Sequence, residues 1–204
     1  MSWQLVRTSV PQGLVAGSNG FCTVARSRDL SPSLTQTLET ISGYRRLPND
    51  PAANPVALSH VILENGGFSR RVVSRIADAG LDHTGRANKI AHHIVLSESD
   101  LEATSPESIF SARRLFRERW EEPPRYFDEP TPLPPKSISS TLCPCPAWTK
   151  LGDAGWAGYI ASTVLSARQV VLVARPGLDI LPLFLEAVSV LPDAKRWDAT
   201  FSTY

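Results

Sequence analysis

Residues 55–77 have the sequence PVALSHVILENGGFSRRVVSRIA, which is the clearest local signal in the chain. Two runs rich in aliphatic and β-branched residues flank the turn Glu64-Asn65-Gly66-Gly67. An Asn-Gly pair between two such runs is typical of a tight β-hairpin, because both residues tolerate positive φ. The stretch therefore predicts two consecutive antiparallel strands in the middle of the sequence.

The segments on either side of this hairpin predict further strands and helices. Runs with β-rich composition predict strands at 3–10, 21–28, 90–97, 170–174 and 197–204. Apolar residues at helical spacing, with start signals such as Ser31-Pro32 and Ser105-Pro106, predict helices at 32–42, 105–119, 152–167 and 181–191. This order indicates an α+β or mixed α/β fold, in which helices pack on a central sheet that is largely antiparallel or mixed.

The length of the chain limits the number of domains. Its 204 residues suit one hydrophobic core better than two, so we expect a single domain over residues 1–204. Residues 121–136 hold six of the 17 prolines, and we expect 123–146 to be a Pro-rich surface insertion. Because a strand-like pattern continues to Tyr204, we expect this domain to be the N-terminal part of a longer protein.

Charge and cysteine content indicate the general class of protein. With 21 Lys and Arg against 20 Asp and Glu, the net charge of +1 gives no long-range attraction for nucleic acid or anionic lipid, and we expect neither as a partner. Three cysteines, an odd number, favour a reducing, cytoplasmic location. Cys143 and Cys145 resemble half of a zinc site that lacks a second half, so we expect no metal and no cofactor.

Residues 81–96, LDHTGRANKIAHHIVL, contain three of the four histidines. We expect residues 82–92 to form one polar cluster at a sheet end, with Arg86 and Asn88 on a loop and Arg86 as the natural contact for an anion. The alternative is a structural loop that caps its own backbone, with Arg86 paired to Asp78 or Asp82. The candidate binding residues are Asp78, Asp82, His83, Thr84, Arg86, Asn88 and His92.

The remaining histidines are auxiliary candidates. Since neighbouring side chains on a strand point to opposite faces, His92 and His93 cannot easily share a metal, and each is expected to be a hydrogen-bonded core residue. His60 lies on the apolar face of its strand and is also expected in the core. An acid–base or metal pair becomes reasonable only if the strands of His60 and His92 are neighbours.

Several stretches spread over nearly the whole chain together resemble one protein family. They are GFCTVARS, NPVALSHVIL, SRIADAGLDHTGRANKIAHHIVL, GDAGWAG, LPLFLEAVSVLP and RWDATFSTY. The chain is similar to the N-terminal domain, type 2, of the bacterial GTPase-associated protein 1 family, and GLDHTGRANKIAHH is the most specific piece. The resemblance implies an adaptor or regulatory module, encoded beside small GTPases in bacterial conflict systems and followed by further domains. It supplies no catalytic residues.

Two functional hypotheses follow. The first is a non-enzymatic adaptor or regulatory domain that contacts a GTPase or another protein of the same system. The second is a metal- or nucleotide-dependent hydrolase that uses His60, Asp82, His83 and His92. The sequence does not indicate an oligomeric state.

Overall fold

The structure is a computed structural model, which describes residues 2–47, 54–65, 67–112, 114–136, 144–175 and 177–204. The strands are β1 (Trp3–Val10), β2 (Gly20–Ser27), β3 (Ala57–Asn65), β4 (Phe68–Leu81), β5 (Ala87–Leu96), β6 (Arg125–Phe127) and β7 (Phe201–Ser202). Within the described residues they form one seven-stranded sheet in the order β6-β2-β1-β5-β4-β3-β7. The pairing of β2 with β6 is parallel and the other pairings are antiparallel, so the sheet is mixed.

Six α-helices and a 3-10 helix accompany the sheet in the described parts of the chain. They are α1 (Pro32–Thr40), α2 (Glu98–Ala103), α3 (Pro106–Ser111), α4 (Pro146–Lys150), α5 (Gly155–Leu165), α6 (Leu181–Val190) and the 3-10 helix Asp193–Asp198. Ser31 caps α1, its hydroxyl accepting the N–H of Leu34. The arrangement confirms the predicted α+β class.

The β3–β4 and β4–β5 hairpins explain where the predicted loop residues lie. The β3–β4 hairpin is confirmed: Asn65 pairs with Phe68, and Gly67 has a φ of +80°, while Gly66 lies outside the described residues. The next turn is shorter than predicted, because β4 continues to Leu81 and β5 already begins at Ala87. Asn88, which was predicted on the loop, is therefore a strand residue, and the connection is the turn 82–86.

The core lies on both faces of the sheet, because neighbouring strand residues point to opposite sides. Val72 packs with Leu34 and Leu38 of α1 on one face. Val73 packs on the other face with Phe110 and Trp197, which come from α3 and the 3-10 helix. Both valines are fully buried, and the two faces determine the surroundings of each histidine.

The predicted helix 105–119 is wrong in its length. α3 ends at Ser111, and α2 precedes it with a capping box formed by Ser97 and Asp100. Phe110 and Phe116 both enter the same core cluster and stack at 6.1 Å. Six residues along a continuous helix turn roughly 240° around its axis, so a single helix could not place both rings there.

The predicted strands near the C-terminal end also differ from the structure. Residues 170–174 form no strand, and Val173 is 96% exposed. Val170 and Leu172 pack against the cluster around α5. Residues 170–174 are therefore partly buried, although they pair with no strand among the described residues. In the predicted strand 197–204, only Phe201 and Ser202 pair with β3.

The Pro-rich stretch is attached to the domain at several points. Residues 125–127 form the edge strand β6, which was not predicted, and Leu133 packs against the core cluster of Val73. Lys136 donates its backbone N–H to Ala103 at 2.8 Å, and its ammonium contacts Asp193. Residues 137–143, including Cys143, lie outside the described residues.

Candidate functional site

The β4–β5 turn is organised by one carboxylate. Asp82 Oδ1 accepts the N–H of Thr84 at 2.8 Å, the Thr84 hydroxyl at 2.7 Å and the N–H of Arg86 at 3.0 Å, while Oδ2 accepts the Ser9 hydroxyl at 2.7 Å. Gly85, with a φ of +77°, closes the turn through its N–H to the Asp82 carbonyl. The Thr84 and Ser9 hydroxyls and the Arg86 N–H hold the pKa of Asp82 far below its usual 3.8.

The tip of this turn presents side chains to solvent. His83, Thr84 and Arg86 are exposed. In the described part of the chain, neither the His83 imidazole nor the Arg86 guanidinium has a hydrogen-bond or ion-pair partner. Asp82 thus binds the backbone of Arg86 and not its guanidinium. The loop caps its own backbone, as the structural alternative expected, but its arginine is free to contact another molecule.

Asp78 and Asn88 hold neighbouring segments together. The Asp78 carboxylate pairs with Arg46 at 2.7 Å, and Arg46 also donates to the carbonyls of Gly80 and Asn88. Asn88 Oδ1 accepts the N–H of Ser9 at 3.0 Å, which ties β5 to the end of β1. Through these contacts, Asp78 and Asn88 hold the base of the β4–β5 hairpin in position.

His92 lies away from the turn. It is 1% exposed in the middle of β5; its Nδ1 accepts the N–H of Arg117 at 3.0 Å, and its Nε2 therefore carries the proton and donates to Gln4 at 3.1 Å. Burial lowers its pKa to about 3. The expected single cluster over residues 82–92 is thus wrong: the structure brings Asp82, Thr84 and Arg86 together and leaves His92 on the sheet face.

His93 points to the opposite face, as predicted from strand alternation. Ser42 donates its only proton to Leu38, so His93 Nε2–H donates to the Ser42 hydroxyl at 2.9 Å, and Nδ1 accepts from Ser74 at 2.7 Å. Burial lowers its pKa to about 3. This histidine fastens the end of α1 to the sheet.

His60 is fully buried on β3. Its Nδ1–H donates to the carbonyl of Ala199 at 2.7 Å, and its ring meets that of Trp197 edge-on at 5.2 Å. Burial lowers its pKa to about 4. Strand β4 lies between His60 and His92, so the condition for an acid–base pair, neighbouring strands, is not met.

An exposed aromatic pair was missed in the sequence. Trp156 and Tyr159, on one face of α5, are 52% and 58% exposed, and their rings meet edge-on at 5.6 Å. The opposite face of α5 is buried through Ala157, Ile160 and Ala161. Small residues on the packed face, with both aromatics on the other face, were the signal that could have revealed this surface.

Two family descriptions match different parts of this chain. Residues 1–134 match the family described as GTPase-associated protein 1, N-terminal domain type 2. The chain belongs to this family. Residues 145–204 match a second description, GTPase-associated protein 1, middle domain, which covers α4, α5 and α6. No curated protein and no solved structure matches the chain.

The described residues lack two features, a cluster of metal ligands and a membrane-spanning helix. They contain no group of three or more His, Cys, Asp and Glu side chains that could hold a metal ion. None of their helices has the length and apolar character needed to cross a membrane.

Proposed function

We propose that this chain is a non-enzymatic adaptor or regulatory domain that contacts a GTPase, or another protein of the same bacterial conflict system. The family description supplies the GTPase association. The observation that carries the contact role is the exposed pair Trp156 and Tyr159 on α5. Tryptophan and tyrosine are enriched among the residues that dominate protein–protein binding energy, since each buries a large area at little entropic cost.

The position of the pair supports a contact surface. The aromatic rings rest on a helix whose other face is fixed in the core through Ile160 and through Ala157, which has no exposure. A rigid helix presents its side chains in nearly the same arrangement before and after binding, so little order is lost on association. We propose the turn residues Thr84, Arg86 and His83 as a second polar contact of the same domain.

The hydrolase hypothesis gains no support from the geometry. It requires His60, Asp82, His83 and His92 in one site. His60 and His92 are buried with β4 between them, and Asp82 and His83 lie in the β4–β5 turn. All four hydrogen bonds that the Asp82 carboxylate accepts come from its own turn and from β1. These positions favour binding over catalysis.

Binding between the purified protein and a small GTPase of the same system tests the proposal. The GTPase is loaded with GDP or with a non-hydrolysable GTP analogue, and binding is measured by isothermal calorimetry. The double variant Trp156→Ser, Tyr159→Ser should raise the Kd by about tenfold or more. Phe68→Ser is a matched control, because Phe68 is 62% exposed at the β3–β4 turn and belongs to neither proposed contact. Absence of binding in both nucleotide states would overturn the proposal.

A further inference from the structure

A groove crosses the sheet face that carries His60. It is about 1570 Å³ in volume and separates β3 and β4 from the segment that joins α5 to α6. Its sheet side carries Leu58, His60 and Arg75, and its apolar walls include Phe110, Phe116 and Phe184. We call this the β3–β4 groove. Neither proposed contact with the GTPase lies in it.

His60, which lines this groove, has an unused acceptor. Its Nδ1 carries the proton, because it donates to the carbonyl of Ala199. Nε2 therefore bears a lone pair, and this buried atom has no hydrogen-bond partner among the described residues. Buried polar atoms in folded proteins are nearly always paired, so this acceptor is available to a donor from a bound molecule. The ring itself is fully buried and lines the groove.

Arg75 lines the same groove and has guanidinium N–H donors that its neighbours do not use. Its side chain is only 15% exposed, and its nearest carboxylate, Glu118, is 3.6 Å away and 73% exposed. That separation is too long for a hydrogen bond, and the contact to the Arg117 carbonyl is at 3.5 Å. A guanidinium has five N–H donors, so Arg75 can still bind an anion. Burial lowers the pKa of Arg75 more than the nearby Glu118 carboxylate raises it.

The two groups lie close enough for one ligand. Leu58 pairs with Arg75 and His60 pairs with Val73, which places His60 and Arg75 diagonally on one sheet face. Diagonal neighbours on antiparallel strands are roughly 7–8 Å apart at their backbones. A molecule of one or two rings spans that distance.

We propose that the β3–β4 groove binds a small amphipathic anion. Its acid group pairs with Arg75, its apolar body lies against Leu58, Phe110 and Phe116, and a hydroxyl or N–H group donates to His60 Nε2. The groove exceeds the roughly 1,000 Å³ of a usual small-molecule site, so such a ligand fills only the part above these residues. This inference stands apart from the contact with a GTPase and does not depend on it.

The dye 8-anilinonaphthalene-1-sulfonate is a suitable probe, because it combines an anion, an aromatic body and an N–H donor. Fluorescence titration of the whole chain should show one saturable site. N-phenyl-1-naphthylamine, which lacks the sulfonate, should bind about tenfold more weakly to the same protein. Arg75→Met should abolish that difference, whereas Arg86→Met, a matched change at an exposed arginine, should preserve it. Equal binding of both dyes to the wild type would overturn the proposal.

A second measurement needs no variant and covers the case in which Arg75→Met fails to fold. In protein labelled with ¹⁵N-histidine, the sulfonate dye should shift the Nε2 resonance of His60, as expected for an acceptor that gains a donor. The Nε2 resonance of His93, which is already bonded to Ser42, should stay in place. A dye that binds without moving the His60 resonance, or whose binding is lost in the Trp156→Ser, Tyr159→Ser variant, would contradict the assignment to this groove.

Discussion

His93 shows how a polar side chain becomes part of a core. Both ring nitrogens are bonded to serine hydroxyls, Ser42 at the end of α1 and Ser74 on β4, and the ring has no solvent exposure. Burying a polar group is costly unless it is hydrogen-bonded, and here both partners are present. The residue therefore stabilises the packing of α1 on the sheet, and no chemistry needs to be assigned to it.

Replacing this side chain should destabilise the protein strongly. His93→Ala leaves a cavity, removes the acceptor of the Ser74 hydroxyl and removes the donor to the Ser42 oxygen, so we expect the free energy of unfolding to fall by about 3 kcal/mol. The same change at His83, on the exposed tip of the turn, should cost less than about 0.5 kcal/mol. Urea unfolding of both variants at pH 7.5 measures the difference. Equal losses at the two positions would show that the hydrogen bonds of His93 contribute little.

At Arg86, an effect on stability can be measured separately from an effect on the proposed contact with the GTPase. Its guanidinium is exposed and has no partner among the described residues, so Arg86→Ala should change the free energy of unfolding by less than about 1 kcal/mol. If the turn contacts the partner, the same variant should raise the Kd for the GTPase by about tenfold. Arg119→Ala, also an exposed arginine, is the control. An unchanged Kd would remove the turn from the interface.

At the scale of elements, the signals that were confirmed are local ones. The β3–β4 hairpin follows from Asn65 and its glycines, and α1 follows from the cap at Ser31, because each depends on residues only a few positions apart. The wrong predictions depended on distant contacts. The break after α3 is explained by Phe116 reaching the core, and residues 170–174 lack a strand partner that no local pattern could have revealed.

The Pro-rich stretch yields a prediction at this scale. Leu133 packs in the core cluster with Val73, so Leu133→Ala should lower the free energy of unfolding by about 2 kcal/mol. Glu129→Ala, an exposed position in the same stretch, should change it by less than about 0.5 kcal/mol. Thermal unfolding of the two variants gives the comparison. If Leu133→Ala melts like the wild type, the stretch is not anchored by this side chain.

At the scale of the whole molecule, the candidate site was predicted only in part. The polar residues of the turn could be found because they are consecutive. The separation of His92 from Asp82 depended on β4 and β5 being longer than expected, which moved the turn away from the histidine pair. The β3–β4 groove could not be predicted, because it brings strand residues near 58–75 together with residues near 110 and 184. Such long-range arrangements leave no trace in local spacing.

We expect the three buried histidines to make the stability of the whole molecule depend on pH. Burial lowers the folded-state pKa of His92 and His93 to about 3 and that of His60 to about 4, all below the ordinary value of 6.5. Below pH 6.5 the unfolded chain binds protons that the folded chain does not, so stability is full above pH 6.5 and falls as the pH decreases toward 4.

Each of these histidines should contribute a slope of about 1.4 kcal/mol per pH unit within that window, and the three together about three times as much. We therefore expect urea midpoints to be constant from pH 8 to 7 and to fall steeply from pH 6 to 5. The series stops at pH 5 because carboxylates such as Asp82 begin to affect stability only at lower pH, which keeps the histidine contribution separate. His83→Ala should reproduce the wild-type profile, because its exposed ring takes no part in the core. A midpoint unchanged between pH 7 and pH 5 would mean that the three rings accept protons without unfolding the chain, contrary to their burial.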